Sequence, residues 1–276
     1  NQQEPFRNYR PMNKFMAVNM FTFTPIKHLS VSLGNSIIYA ERNVQPAYFI
    51  PIAFYKSLDH LLTKGVRTQN QNSQMFASIS VRPVKHLHLY SSFFVDEVKF
   101  SRFKPSNPEN NPISYLVGFH WSGWPVKGLS LKGEFMRSYI ATYIHSIDVL
   151  TYTSNSYKMG HYMGDNAQSI YAELAYRPMR GLLVKLSYTS DAKYNSYSYL
   201  RDNISETIAQ KPFDHCVYRN DELRLDGIYE VHPNMYMTLS VGYNNAQGFD
   251  NLKSEALPSE DIGNAQYYLD KFCPLF

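Results

Sequence analysis

Polar and apolar residues alternate with a period of two along much of the chain, most clearly in residues 172–187, AELAYRPMRGLLVKLS. After Pro178, Leu182, Val184 and Leu186 occupy every second position, and Lys185 lies between two of them. Because successive side chains of a strand point to opposite faces, each half of this stretch predicts a strand. The proline between the halves predicts a tight turn, so the stretch is expected to form a β-hairpin.

The same turn occurs at five places along the chain, at Pro25, Pro83, Pro125, Pro178 and Pro233. The spacing is too irregular for a solenoid but marks an internal repeat of strand, turn, strand and longer polar connection. Besides the central hairpin, the predicted strands cover residues 14–24, 29–40, 75–81, 87–100, 113–123, 129–141, 221–231 and 236–244. Long polar loops are predicted at residues 142–166 and 192–220.

The two faces of the predicted strands differ sharply in polarity. At positions four, six, eight and ten after each proline, seventeen of twenty residues are apolar. The twenty positions between them hold only four apolar residues, which are Tyr90, Phe94, Met136 and Leu183. Each strand therefore presents one apolar face and one polar face.

A soluble β-sandwich alternates in the same way, so the pattern alone does not name the solvent on the apolar side. Three features favour lipid: charges on the polar face, strands of about ten residues, and short turns that alternate with long loops. The charged residues of the polar face include Lys132, Glu134, Glu173, Lys185 and Asp226. The predicted fold class is all-β: a transmembrane antiparallel up-and-down β-barrel of at least ten strands, with a short helical loop insertion. Residues 1–276 are expected to form one outer-membrane barrel that is incomplete at its N-terminus.

Composition excludes several other classes of protein. No apolar run approaches the roughly 18 residues of a membrane-spanning helix. A formal charge of +4 is too small and too dispersed to indicate a nucleic-acid partner. The two cysteines, Cys216 and Cys273, lack the spacing of a zinc site, so no metal or cofactor is expected. A disulfide and two free thiols both remain open.

Residues 46–62, PAYFIPIAFYKSLDHLL, depart from the period of two. Their apolar residues fall three or four apart, which predicts a helical stripe made of Ile50, Phe54, Leu58 and Leu61. We expect this helix to bury its stripe against the wall of the barrel lumen, where Met16, Val18 and Met20 make the first strand unusually apolar. The functional alternative is a plug or lid that presents polar residues to a ligand. Those residues are Arg42, Tyr48, Asp59 and His60.

The segment MGHYMGDNAQSIYAEL, residues 159–174, resembles a signature of the Wzi-like capsule assembly family, and most of all its variants in Bacteroidetes-type bacteria. The residues that carry the resemblance are Gly160, His161, Gly164, Asp165, Asn166, Ala167 and Glu173. Residues 32–62 and 89–100 are also similar to this family. The resemblance implies a bacterial outer-membrane β-barrel that acts as a surface lectin for capsular polysaccharide, with an N-terminal helical portion ahead of the barrel.

Sugar binding suits the polar and aromatic residues of the predicted outer loops, because sugars offer ring faces to aromatic side chains and hydroxyl groups to polar ones. The candidate ligand-binding residues are Arg42, Tyr48, Asp59, His161, Tyr162, Asp165 and Asn166. No spacing joins three residues into a catalytic constellation, so a non-enzymatic protein is expected. The expected partners are capsular or surface polysaccharide, outer-membrane lipid and lipopolysaccharide, and proteins of an envelope complex. A diffusion or uptake channel and a structural barrel of a secretion or gliding complex are the alternative functions.

The assignment of faces predicts different outcomes for substitutions at neighbouring positions. Leu131→Arg or Val184→Arg is expected to cost about 2–4 kcal/mol of unfolding free energy at the bilayer midplane, because arginine would face lipid there. Lys185→Arg, on the polar face, is expected to change it little. Equilibrium unfolding in lipid vesicles measures both effects, and equal tolerance of the two kinds of change would contradict the assignment.

Overall fold

The computed structural model describes residues 13–40, 43–62, 71–96, 98–104, 107, 109–145, 147–154, 157–194, 211–214 and 216–248. The strands are β1 Lys14–Ile26, β2 Leu29–Ala40, β3 Gln71–Val84, β4 Leu87–Val95, β5 Ile113–Ser122, β6 Leu129–Ser138, β7 Thr153–Ser154, β8 Tyr157–Lys158, β9 Ala167–Tyr176, β10 Leu182–Tyr194, β11 Cys216–His232 and β12 Met235–Gly248. The helix α1 spans Tyr55–Leu62, and short 3-10 helices span Pro46–Phe49, Phe100–Phe103 and Asp148–Leu150. No helix in these ranges has the length and apolarity needed to cross a membrane.

Ten of these strands form one antiparallel sheet in the order β1-β2-β3-β4-β5-β6-β9-β10-β11-β12, while β7 and β8 pair only with each other. The predicted up-and-down arrangement is confirmed, and all five proline turns join neighbouring strands of the sheet. Within the described ranges β1 and β12 are the edges of the sheet, which is therefore open rather than closed into a cylinder.

The repeated turn has a repeated backbone conformation. Three residues after the proline, His28, His86, Gly128 and Gly181 all have positive φ angles, of 73°, 73°, 85° and 81°. Each of their carbonyl oxygens accepts a hydrogen bond of 2.8–2.9 Å from a backbone N–H of the next hairpin. The turns are thus fixed side by side along one end of the sheet, which we call the turn end. The fifth turn differs, because its positive φ of 66° falls on Asn234.

Strand register separates the two faces as the alternation predicts. One row across β6, β9, β10 and β11 consists of Leu131, Leu174, Leu186 and Leu225, and each of these is between 41% and 47% exposed. The adjacent row on the other face consists of Lys132, Glu173, Ser187 and Arg224. We call the face that carries the leucine row the apolar face and the opposite one the polar face.

Several predicted boundaries were wrong. β3 spans Gln71–Val84 rather than residues 75–81, and β6 ends at Ser138 rather than residue 141. β4 ends at Val95 rather than residue 100, because a 3-10 helix at Phe100–Phe103 follows it. β10 and β11 extend into the predicted loop, since Lys193 pairs with Tyr218 and Tyr194 with Cys216. Pairing with a neighbouring strand keeps these residues extended even though their own sequence is polar.

The position predicted for residues 46–62 was also wrong. Only Tyr55–Leu62 is α-helical, and the segment packs on the apolar face of β1 and β2 rather than on the polar side. Tyr48 and Tyr55 are buried there against Ile37 and Tyr39.

Of the predicted apolar stripe, Leu58 packs against this cluster, but the other three residues point away from it. Ile50, Phe54 and Leu61 are 47%, 46% and 72% exposed. Two asparagines at apolar-face positions explain the docking. Asn19 Nδ2 donates to the Ala53 carbonyl oxygen at 2.8 Å, and Asn35 Oδ1 accepts from the Tyr55 N–H at 2.9 Å.

Because the segment lies on the apolar face, it does not cover the apolar residues on the polar side of β1. Met16, Val18 and Met20 remain 37%, 51% and 59% exposed there. Cys216 is half-buried and forms no disulfide with another residue of the described ranges. Cys273, the other cysteine of the chain, lies outside the described residues, as does the candidate ligand residue Arg42.

The asparagine contacts predict how firmly the segment is held. Asn35→Ala removes the acceptor of the Tyr55 N–H and a donor to Asn19 Oδ1 at 2.6 Å, so a loss of about 1–3 kcal/mol is expected. Hydrogen exchange should accelerate at the Tyr55 amide. Ser30→Ala, on the polar side of the same strand, is the control and should stay within about 0.5 kcal/mol of wild type. Unchanged Tyr55 exchange in Asn35→Ala would refute this account of the docking.

Candidate functional site

A long connection between β6 and β9, residues 139–166, folds over the polar face, and we call it the crossing loop. Its near end is tied to the strands from which it starts. The Ser138 hydroxyl donates to the Gly164 carbonyl oxygen at 2.5 Å, and the Asn166 N–H donates to the Tyr139 carbonyl oxygen at 3.1 Å. The two ends of the crossing loop, next to β6 and β9, are therefore hydrogen-bonded to each other.

The far end of the crossing loop reaches the opposite edge of the sheet. Lys14 Nζ of β1 donates to the carbonyl oxygens of Thr151 and Thr153 at 2.5 and 2.6 Å. Asn72 Nδ2 of β3 donates to the Leu150 carbonyl oxygen at 3.2 Å, and the Leu150 side chain is fully buried against Ile38 of β2. The loop thus bridges β1–β3 and β6–β10 across the polar face.

The glycines of the 159–174 signature have structural roles in this loop. A Cβ on Gly160 would lie 2.4 Å from the Tyr143 ring, so only glycine allows the two parts of the loop to approach this closely. Gly164 has a φ of +76°, a backbone conformation that glycine adopts without steric cost. The two glycines of the signature therefore determine the backbone path of the crossing loop.

Asp165 and Asn166 fasten the loop to β10. The buried Asp165 carboxylate accepts from the Ala141 N–H and from Lys193 Nζ, both at 3.0 Å. Lys193 Nζ also donates to the Asp165 backbone carbonyl oxygen. Asn166 is fully buried, and its Oδ1 accepts from the Phe213 N–H at 2.9 Å. These two candidate ligand residues are thus engaged with buried protein partners.

A cavity of about 290 Å³ lies beneath the crossing loop on the polar face. Its wall is mostly apolar, with Met20, Leu116 and Met136 beside the aromatic rings, and its other groups include serine hydroxyls and one imidazole. The residues most relevant to a ligand are Phe76, Phe94, Ser92, Ser114, Tyr143 and His161. The ring centroids of Phe94 and Tyr143 are 5.0 Å apart, so strand and loop meet at this wall. The size and the mixture of apolar and polar groups suit a small ring with hydroxyl groups.

His161 lines this cavity, and Tyr162 lies directly beside it with a ring-centroid distance of 4.2 Å. Burial lowers the pKa of His161 to about 4, so the imidazole is neutral at neutral pH. Its Nδ1 accepts from the Met163 N–H at 3.3 Å, which leaves Nε2–H as a donor for a ligand. The Tyr162 hydroxyl donates to the Asp191 carboxylate at 2.6 Å. Burial and this hydrogen bond raise the pKa of Tyr162, which keeps the hydroxyl protonated.

Tyr48 and Asp59 lie elsewhere. Both are buried in the segment on the apolar face, where the Tyr48 hydroxyl donates to Asp59 Oδ1 at 3.0 Å and Gln71 Nε2 donates to Asp59 Oδ2 at 2.5 Å. The sheet separates them from the crossing loop. The structure therefore brings His161, Tyr162, Asp165 and Asn166 together but not Tyr48 and Asp59.

Phe94, Tyr143 and the serines were not among the site residues predicted from the sequence. A signal for Phe94 was present, because it is one of the four apolar residues at polar-face positions, and Met136, another of the four, lines the same cavity. Tyr143 carried no comparable signal, since nothing in a loop sequence tells which tyrosine folds back over a sheet.

Nearer the turn end, the polar face carries a network of charges. Lys185 Nζ lies 3.4 Å from Asp226 and 4.0 Å from Glu173, while Lys132 Nζ lies 3.0 Å from Glu134. The Lys185 pairs cross between neighbouring strands, whereas Lys132 and Glu134 pair within β6. No group of three or more His, Cys, Asp or Glu side chains in the described ranges is arranged to hold a metal ion.

The buried ion pair predicts the stability of the crossing loop. Lys193→Met strands the Asp165 carboxylate without its cation, and about 3–5 kcal/mol of unfolding free energy should be lost. Lys193→Met/Asp165→Asn removes the stranded charge but keeps an acceptor for the Ala141 N–H, so it should be more stable than the single variant.

The control is Arg219→Met, which breaks the largely exposed pair with Asp221 and should cost about 1 kcal/mol or less. Denaturant unfolding measures all three variants. A Lys193→Met variant no less stable than Arg219→Met would show that the buried pair does not hold the loop.

Comparison with solved structures shows what this fold is similar to. One match is Wzi of Escherichia coli, described as an outer-membrane protein involved in group 1 capsule assembly and as a carbohydrate-binding β-barrel. The TM-score is 0.51 at 16% identity, over 84% of this chain and 47% of that one. Another is OccD3 (OpdP) of Pseudomonas aeruginosa, with a TM-score of 0.41 at 13% identity, over 84% of this chain and 55% of that one.

The chain thus spans about half the length of these solved structures. No family model and no curated protein matched the chain. What the comparisons establish is the fold: the ten-stranded antiparallel meander has the architecture of outer-membrane β-barrels.

Proposed function

We propose that this protein is an outer-membrane β-barrel protein that binds and anchors surface or capsular polysaccharide without chemically altering it. In this proposal a sugar ring enters the cavity beneath the crossing loop, where His161 contacts it and Tyr162 lies at its side. Asp165 and Asn166 act by holding the loop in place.

The composition of the cavity carries the proposal. A sugar ring needs an apolar or aromatic surface for its C–H face and donors and acceptors for its hydroxyl groups. Phe94 and Tyr143 supply the first, and Ser92, Ser114 and the neutral His161 supply the second. These residues come from β4, β5 and the crossing loop, so the site depends on the loop being docked.

Two further observations support a surface-retention role. The exposed leucine row of the apolar face is suited to hydrocarbon, which supports a place in the outer membrane among lipid and lipopolysaccharide. The crossing loop is tied to strands at both sides of the polar face, which favours retention of a ligand over free diffusion past it. A carbohydrate-binding barrel among the matched structures is consistent with this proposal.

Binding of fluorescently labelled capsular polysaccharide, purified from the source cells, tests the proposal by fluorescence polarisation in detergent. Phe94→Leu keeps apolar volume but loses the aromatic face, and His161→Leu loses the Nε2–H donor. Each should weaken binding by about 5–10-fold, which corresponds to roughly 1–1.4 kcal/mol. Tyr157→Leu is the matched control because it removes a ring of the same loop that is 79% exposed and outside the cavity.

Equal losses in all three variants, or unchanged binding in Phe94→Leu and His161→Leu, would contradict the proposed site. Conductance in planar bilayers separates this function from a channel. Wild-type protein should conduct little, whereas steady conductance without polysaccharide binding would favour a diffusion or uptake pore.

A further inference from the structure

We propose that a second site, at the turn end of the sheet, binds the phosphate group of a phosphate-bearing ligand. This turn-end pocket has a volume of about 560 Å³. Three basic side chains line it, which are Lys27, Arg82 and Lys85. Its lining residues are all described, and none of them is acidic.

Four imidazoles also line the turn-end pocket: His28, His86, His88 and His120. The fold brings them together in two ways. The proline turn repeats a Lys-His pair at residues 27–28 and 85–86, and these two turns belong to neighbouring hairpins. His88 and His120 are direct partners in the register of β4 and β5, on the polar face.

Backbone hydrogen bonds fix this arrangement. The Arg82 N–H donates to the His28 carbonyl oxygen, and the Ser122 N–H donates to the His86 carbonyl oxygen, both at 2.9 Å. His86 Nδ1 lies 2.6 Å from the Ser122 carbonyl oxygen. A carbonyl oxygen can only accept a hydrogen bond, so this nitrogen of His86 carries the proton. The ring of His86 is thereby oriented within the pocket.

The choice of residue in the turns is an independent observation. The position three residues after the proline has a φ of 73–85° in four turns, and the third and fourth turns use glycine there, Gly128 and Gly181. The first two turns use His28 and His86, although a side chain at positive φ is sterically disfavoured relative to glycine. Histidine thus replaces glycine in the two turns that line the pocket. We infer that the imidazoles serve a ligand.

The side chains define the ligand chemistry. Arginine offers a planar fork of donors that matches phosphate oxygens, and lysine adds a mobile positive charge. The charge network of the polar face pairs Lys132, Lys185 and Arg224 with carboxylates, whereas no carboxylate lines the turn-end pocket. The pocket is much larger than one phosphate ion, so it can admit the group attached to the phosphate. The source is either a soluble phosphate ester or a phospholipid headgroup.

Pyrophosphate is the probe for the test, titrated calorimetrically into the full chain in a non-ionic detergent. Arg82→Gln/Lys85→Gln removes two positively charged side chains from the pocket and should weaken pyrophosphate binding about tenfold or more. His28→Gly/His86→Gly gives these turns the glycine that the third and fourth turns already have, so the fold is not put at risk. It should weaken binding by about 3–5-fold.

The matched control is Lys127→Gln/Arg180→Gln, which removes the same charge from turns outside the pocket and should change affinity less than about twofold. Absent pyrophosphate binding to wild type, or an equal loss in the control, would overturn the proposal. Repeating the titration in nanodiscs of phosphatidylcholine, which has a headgroup phosphate but no net charge, identifies the source of the phosphate. Weaker pyrophosphate binding there than in non-ionic detergent supports a headgroup ligand, and equal binding supports a soluble one.

Discussion

The constraint on which the structure depends is the exposed apolar face of a single sheet. Leucines at matched positions on β6, β9, β10 and β11 form a continuous row, and among the described elements only residues 43–62 cover part of this face, next to β1 and β2. A row of this kind in water would be an unusually large apolar patch for a soluble monomer. The backbone pairing of ten strands and the period of two together create this face, so its need for a non-aqueous environment follows directly from the fold.

The polar face solves a different problem, because it must hold charged side chains close together. It does so by pairing charges and by binding the crossing loop through buried polar contacts and through apolar contacts such as Ile38 with Leu150 and Met136 with Met163. The Lys193–Asp165 pair and the Lys14 contacts lie at opposite sides of the sheet, so the loop braces strands that are far apart in sequence. The proposed sugar cavity lies where the crossing loop meets β4 and β5. Binding and stability are therefore coupled in one loop.

The sequence predicted the strands, their order and both faces, because alternation and turn chemistry are local properties. It could not place residues 46–62, since a helical stripe does not tell which side of a sheet it will approach. Asn35 determines where the segment docks, and it is an exception to the alternation. It is polar at an apolar-face position, where its side chain accepts a hydrogen bond from the Tyr55 N–H. Phe94 is the converse exception and marks the cavity. The residues that broke the alternation were thus the informative ones, while the tyrosines of the loops could not be ranked without long-range contacts.

The docked segment on β1 and β2 also changes the outline of the protein in the plane of a bilayer. Helix α1 adds a rib about 10 Å thick to the sheet, and Ile52, just before it, and Leu61, within it, are 76% and 72% exposed. In the proposed outer-membrane location, acyl chains beside this rib could not lie flat against the strands beneath it. The two flanks of the sheet would then offer differently shaped surfaces to neighbouring molecules.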